Sequence, residues 1–431
     1  MIETVLPNGM VPYPHQIQAA HEALQSRRFL FAHDVGAGKT LSAILAARTY
    51  QQQTGGKVLI VAPASLLTNW EREIDGLLDG IIVSAGKVPI ADDFGDDKFY
   101  LISDEAHYYQ NTSSKRTQKM VKLAKAAQGV LLLTATPIRN YPSNIFPLLK
   151  MMGHDLGKNF EAFKRQYCGG SLSGSSNLME LNRRIQTQMI VGDKKDYLDL
   201  PPFKRILKQI ELHGVGRIMF DKMYYEKRAE YREKVKNKEI SKQGFHIVLI
   251  NHLRMATSIG KSFKAIEIAK SAIENGHQVA IFTNFNQSAN LIDRWLDEYG
   301  SEMLNGAVPK GKRQGLVDTF QSGKSKVFVM TKAGSAGLNL QKGTVFISVD
   351  RTWSPFDMVQ AEGRIHRNGQ EHPCYSIWLQ DSIIDPYLDG MMLKKYAVAR
   401  EVLHGRRDTM DGLGNPGKWA RDLSSLLFGR E

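Results

Sequence analysis

The chain has 431 residues, 42% apolar and 23% charged, an ordinary globular balance with material for two or three domains of common size. Its 57 Lys and Arg exceed 44 Asp and Glu by 13, which points to a polyanionic partner but sets neither fold nor chemistry. The only cysteines, Cys168 and Cys374, exclude a disulfide framework and a cysteine-rich zinc site, and no apolar run approaches the roughly 18 residues of a membrane span.

In chain order, Met1 to Met10 has no basic residue and is broken by Pro7 and Gly9, which does not read as a signal peptide. The expectation is an intracellular protein with no membrane partner. Strands are predicted at Phe29 to Ala32, Lys57 to Ala62, Phe99 to Ser103 and Val130 to Leu133, with helical patterns between them at Thr40 to Gln51 and Leu66 to Leu78. Continuous apolar runs alternating with amphipathic helices predict an α/β lobe with a mostly parallel sheet flanked by helices. The rhythm restarts at Ser262, read as the cap of a helix ending at Gly276, and continues with strands at Gln278 to Thr283, Lys326 to Met330 and Thr344 to Val349. Between the lobes, Lys204 to Lys242 holds 12 basic and 6 acidic residues and no strand pattern. It reads as a solvated linker helix or as a basic arm lining a duplex channel. The expected domains are a first lobe at 1–203 with a helical protrusion from about 141 to 200, a basic helical connector at 204–258, a second lobe at 259–385, and a helix and flexible tail at 386–431.

The first predicted strand runs into His33-Asp34-Val35-Gly36-Ala37-Gly38-Lys39-Thr40 and then a helix. Gly36, Ala37 and Gly38 can wrap backbone N–H groups around phosphate oxygens at a helix N-terminus. Lys39 can reach the outer phosphates of a nucleotide, and Thr40 can ligate magnesium. The strict phosphate-loop pattern has glycine where His33 stands. About 64 residues after Thr40, Asp104-Glu105-Ala106-His107 follows a strand, where Asp104 can hold magnesium and Glu105 can polarise water. Thr134-Ala135-Thr136-Pro137 ends the next strand. Far along the chain, Gln360 to Gln370 sets Arg364 and Arg367 three apart, on one side of a helix if helical. Taken alone, that pair favours a surface salt-bridge helix; beside a phosphate loop it can serve a γ-phosphate.

Together these blocks resemble the superfamily-two (DEAH-box) helicase motifs, in order, and more narrowly the Swi/Snf-type double-stranded-DNA translocases. Three further blocks carry the narrower resemblance: Ala62-Pro63-Ala64-Ser65-Leu66-Leu67-Thr68-Asn69-Trp70, Ala333-Gly334-Ser335-Ala336-Gly337-Leu338-Asn339-Leu340, and Trp353-Ser354-Pro355 with His366-Arg367-Asn368-Gly369-Gln370. The resemblance spans roughly residues 11 to 405. It implies two RecA-like lobes with ATP and Mg2+ in the cleft between them. It implies adenine recognition by Gln16, catalytic roles for Lys39, Asp104, Glu105, Gln360, Arg364 and Arg367, and magnesium at Thr40 and Asp104. Gly337 would face the nucleotide, and Ser65, Asn69 and Ser335 would touch the DNA backbone. The helix from Pro386 resembles the family's brace helix.

Departures from the pattern are local. Only 34 residues separate Trp70 from Asp104, so one strand and its crossover are expected to be absent, with Ile81 to Ala85 in place of the usual middle motif. Val191-Gly192 stands where the family often has paired arginines before Leu200-Pro201-Pro202. No bromodomain-like, chromodomain-like or SANT-like extension is read, so a minimal motor of a bacterial or phage setting is expected. The resemblance implies an ATP-dependent motor tracking on double-stranded or forked DNA. The alternatives are a strand-separating or branch-migrating helicase and a hydrolysis-dead DNA clamp, the last disfavoured by the intact catalytic set.

Overall fold

The computed structural model describes residues 2–94, 98–237, 239, 242–332, 338–408 and 410. The chain divides into two compact units, Met1–Asp199 with Lys395–Asp408, and a second built on Leu200–Lys394. The first contains α1 (Pro14–Ser26), β1 (Arg28–His33), α2 (Lys39–Thr54), β2 (Lys57–Ala62), α3 (Leu67–Ile74), β3 (Gly80–Ser84) and β4 (Phe99–Ser103). It continues with α4 (Lys115–Ala126), β5 (Gly129–Leu133), α5 (Phe146–Met151), α6 (Phe160–Tyr167), α7 (Leu178–Ile185) and β6 (Met189–Gly192). All six strands are parallel, in the order β3-β2-β4-β5-β1-β6. Leu30, Phe31, Leu59, Ile60, Leu101, Ile102, Leu131 and Leu132 are fully enclosed, because helices cover both faces of such a sheet. Arg28 lies at the opposite end from the strand tips that carry the chemistry. Its guanidinium donates to the carbonyls of Ala124, Ala127 and Met151, satisfying the ends of α4 and α5.

The second unit contains β7 (Phe203–Gln209), α8 (Gly214–Lys236), α9 (Lys242–Glu274), β8 (Val279–Thr283), α10 (Asn286–Trp295), β9 (Ser301–Leu304) and α11 (Lys310–Gln321). It continues with β10 (Val327–Thr331), β11 (Val345–Ser348), α12 (Pro355–Glu362), β12 (Cys374–Gln380) and α13 (Asp385–His404), whose last ten residues belong to the first unit. This sheet is also all parallel, in the order β7-β12-β11-β8-β10-β9. Behind β12 lies a buried ionic cluster. Lys261 Nζ sits 2.5 Å from Asp385 and 3.1 Å from Asp381, and Arg351 pairs with Asp389 at 2.6 Å. Burial and the neighbouring Asp381 charge push Asp385 up to about 7.

The two parallel α/β lobes of the sequence reading are present, and three details differ. Residues 204–209 are not helical connector but most of β7, an edge strand whose Lys and Arg residues conceal its alternation and suit a sheet edge. The segment from 141 to 200 is not wholly a helical protrusion: α5 is buried in the first unit, and the chain returns to the sheet as β6. Ser262 caps nothing, since α9 begins twenty residues earlier; its hydroxyl instead donates to the Ser258 carbonyl within the helix. The stretch at 81–85 falls largely within β3, an edge strand paired with β2. On α8 Tyr224 is buried, and the tail beyond Met410 lies outside the described residues.

Helices α8 and α9 pack backbone to backbone at two glycines. A Cβ on Gly216 would lie 2.6 Å from the Gly260 carbonyl oxygen. Gly216→Ala is therefore expected to force the helices apart and destabilise the protein by about 1–3 kcal/mol, as overpacking does. A urea titration measures it, and unchanged stability would contradict this crossing.

Candidate active site

Strands β1, β5 and β4 are neighbours in the parallel sheet, so the segments leaving their C-terminal ends converge on one edge, the usual ligand side of such sheets. Those segments are the glycine loop, Thr134–Pro137 and Asp104–His107. In the loop, Gly36 and Gly38 take φ of 87° and 76°, a backbone that favours glycine. Gly38 is the N-cap of α2 and supplies no side-chain cap, so the N–H groups of the helix's first turn are left for a ligand. Ala37 is buried; Thr40 is partly exposed in the first turn of α2. Lys39 Nζ donates to the carbonyls of His33 and Asp34, both at 2.9 Å, which folds the ammonium back over the loop.

Gln16 lies against this loop. Its Oε1 accepts from Tyr13 N at 2.9 Å and its Nε2 donates to the Gly38 carbonyl at 3.4 Å, while any Cβ at Gly38 would strike it. The amide thus buttresses the loop, and reading an adenine would require it to release one of these partners.

At the tip of β4, Asp104 Oδ2 accepts from Trp70 Nε1 and Oδ1 accepts from Glu105 N, both at 2.8 Å. Burial, then the Glu105 charge, pushes the Asp104 carboxyl up to about 6. Glu105 takes a positive φ of 48°, an uncommon backbone for a non-glycine residue and one that clusters at functional sites. His107 Nδ1 stands 3.0 Å from Glu105 Oε2 and 3.2 Å from Thr134 Oγ1, connecting the acidic pair to the next strand end. Gln110 completes the connection by donating to the carbonyls of Thr136 and Pro137.

Two hard oxygen donors, the Thr40 hydroxyl and the Asp104 carboxylate, suit magnesium, which binds through one or two protein oxygens together with phosphates and water. Among the described residues no group of three or more His, Cys, Asp or Glu could hold a metal by itself. A cation there would also offset the burial and the Glu105 charge that together raise Asp104.

In the second unit, α12 ends at Glu362 and is capped by Gly363. Arg364 and Arg367 therefore stand in the turns beyond it, and the expectation that a helix aims both guanidinium groups is corrected: glycine ends the helix one residue before the pair. Arg364 is buried, and its carbonyl accepts from Leu340 N; Arg367 donates to the Leu338 carbonyl at 3.1 Å. Gln370 holds these turns from below, its Nε2 within 3.0 Å of the carbonyls of Gln341, Gly343 and Ile365. Gln360 is partly exposed on α12. His366 Nε2 lies 2.8 Å from the Pro201 carbonyl, fastening the Leu200-Pro201-Pro202 element to this motif. Ser335 and Gly337 lie outside the described residues.

Ser65 is exposed ahead of α3, and Asn69 is partly exposed in its first turn. Trp70, the last residue of the Ala62 to Trp70 block, is buried and holds Asp104. Gln110 and Gln370 were not singled out for these roles. Gln110 lies outside every block quoted from the sequence, whereas Gln370 closes the His366 to Gln370 block.

A family model described as the SNF2-related domain matches residues 16–83 and 92–277, and one described as the helicase conserved C-terminal domain matches 263–369. The chain belongs to the SNF2-related family. This SNF2-related chain is accordingly an ATPase of the helicase type. It is 27% identical over 422 residues to an uncharacterized ATP-dependent helicase of Bacillus subtilis, covering 84% of the chain and 74% of that relative. It is 24% identical over 443 residues to a DNA annealing helicase and endonuclease of Bos taurus, covering 91% of the chain but only 40% of that relative. A solved structure, the Sulfolobus solfataricus SWI2/SNF2 ATPase core in complex with double-stranded DNA, matches 95% of the chain and 99% of its own length at 20% identity and a TM-score of 0.45. No helix among the described residues is long and apolar enough to cross a membrane.

Proposed function

We propose that the chain is an ATP-driven motor that moves along double-stranded DNA by gripping phosphates, without needing to part the strands. The observation that carries the ATP half of this reading is the convergence of Lys39, Asp104, Glu105 and Thr134 at adjacent strand ends of one parallel sheet. The loop amides and the α2 N-terminus would receive the phosphates, and Lys39 would exchange two backbone carbonyls for a phosphate oxygen. Thr40 and Asp104 would hold magnesium, which supplies charge neutralisation at the phosphates when bound. Glu105, steadied by His107, would orient and deprotonate the attacking water. Gln360, Arg364, Arg367 and Gly337 of the second lobe would act on the same nucleotide, as the family resemblance implies.

The DNA half rests on the excess of 13 basic residues, on Ser65, Asn69 and Ser335, and on an exposed Trp353 stacked over the Arg254 guanidinium at 4.4 Å. Phosphate contacts carry no sequence information, which suits a motor that must pass any sequence. A DNA motor works inside the cell, and the setting proposed for this one is a bacterial nucleoid or a phage-infected host.

Phosphate release measured with single-stranded, duplex and forked DNA and with RNA tests the reading. Duplex is expected to stimulate most, and its affinity to fall steeply between 50 and 200 mM salt, by roughly 10³-fold or more for six or more phosphate contacts. Stimulation by single strands alone would overturn duplex tracking. The annealing activity in the name of the bovine relative favours one second reading, junction remodelling. Fork regression without triplex displacement would select it.

A further inference from the structure

Below the phosphate loop lies a cluster of rings that the ATP chemistry does not use. His15 Nε2 is 2.9 Å from the Ala37 carbonyl, in the middle of the loop. The His15 ring stacks on Tyr197 with centroids 4.3 Å apart and planes 20° from parallel, and Tyr13 stacks on His15 at 5.8 Å. His33, the residue in place of the loop's usual first glycine, stands edge-on to Tyr197 at 5.5 Å and is 1% exposed. Burial first, then Lys39 and His15, hold it neutral, with a pKa near 3. Neither of its ring nitrogens has a hydrogen-bond partner among the described residues, so it acts here as an apolar ring.

Tyr197 belongs to the short segment that follows β6 and leads out of the first unit. That segment is joined to the loop at its other edge as well. Asp34 N donates to the Gly192 carbonyl at 2.9 Å, continuing the β1–β6 ladder into the loop. A Cβ on Gly192 would fall 2.3 Å from the Tyr197 ring, so glycine is what lets the tyrosine fold back over the strand end. This is a physical reason for glycine where the family often carries arginine. At the start of the segment, Asp193 accepts from Arg400 at 2.8 Å, near the end of α13. Burial alone would raise the Asp193 carboxyl, but the Arg400 contact overcomes it and holds the group below its ordinary range. Both places where the chain enters or leaves the first unit, after Asp199 and before Lys395, are thus tied to residues 193–197.

We propose that His15 and Tyr197 are positioning residues that join the phosphate loop to the exit segment 193–199, so that nucleotide on the loop stiffens the chain's route out of the first unit. The inference rests on the nucleotide reading above. His15 grips the Ala37 carbonyl, Tyr197 grips His15, and neither touches the reacting atoms.

Hydrogen–deuterium exchange on the full chain, with and without magnesium and a slowly hydrolysed ATP analogue, tests it. In the wild type the analogue should slow exchange about fivefold or more in both 34–40 and 193–199, a typical size for coupling between sites. His15→Phe keeps the stack and removes the hydrogen bond; Tyr197→Leu removes the stack. Each should keep protection at 34–40 and lose it at 193–199, whereas Tyr197→Phe should behave as wild type. A merely structural role would lower the melting temperature without altering the nucleotide-dependent difference. Wild-type protection confined to 34–40, or coupling that survives both disruptive variants, overturns the proposal. No protection at 34–40 in the wild type would overturn the nucleotide reading itself, and this inference with it.

Discussion

Lys39→Ala should reduce duplex-stimulated ATP hydrolysis by about 10²–10³-fold or to background, the scale of losing a charge aimed at a transition-state oxygen. The ammonium already lies over the loop, held by the His33 and Asp34 carbonyls, so little rearrangement separates it from a phosphate. Its loss should leave the fold intact, because residue 39 opens α2 at a partly exposed position where alanine is a good helix former. A melting temperature within a few degrees of wild type, measured beside phosphate release, separates lost chemistry from lost structure. Duplex-stimulated turnover that survived the substitution in a folded protein would remove Lys39 from the catalytic set.

Arg367→Ala has the other large expected effect and a different signature. If Arg367 meets charge that develops only as the phosphoryl group transfers, kcat should fall about 10³–10⁵-fold while ATP affinity changes only a few-fold. Arg367→Lys should not rescue, since an ammonium lacks the planar fork of a guanidinium. The Arg367 contact with the Leu338 carbonyl gives the side chain a structural tie as well, so circular dichroism and melting must accompany the kinetics. A collapse of nucleotide affinity with unchanged turnover would contradict the role. Fluorescent-ATP titration and single-turnover hydrolysis distinguish the two results.

What could be read from sequence follows from burial. Lys57 to Ala62 and Phe99 to Ser103 were legible to the residue because strands enclosed on both faces need unbroken apolar runs. Strand β6 has four residues, β9 reads Ser-Glu-Met-Leu, and β7 carries Lys and Arg at an edge; in each the tertiary pairing outweighs a weak local pattern. The glycine loop and the acidic motif stood out as blocks because the chemistry they resemble demands particular residues in unbroken order. The partners of those motifs were not. Trp70 reaches Asp104 across 34 positions and Gln370 reaches Gln341 across 29, distances that only the folded sheet closes. The arginine pair shows the reverse error, where helical spacing was real but Gly363 ended the helix first.

The enclosed charges around Lys261 bear on how this protein can change over time. Removing one member strands the others in a dry interior, at a penalty of about 3–5 kcal/mol, whereas exchanging the whole group for well-packed apolar side chains can be neutral. Divergence at Lys261, Arg351, Asp381, Asp385 and Asp389 should therefore come in blocks: homologous sequences would keep the quintet or replace it together, and lone substitutions would be scarce.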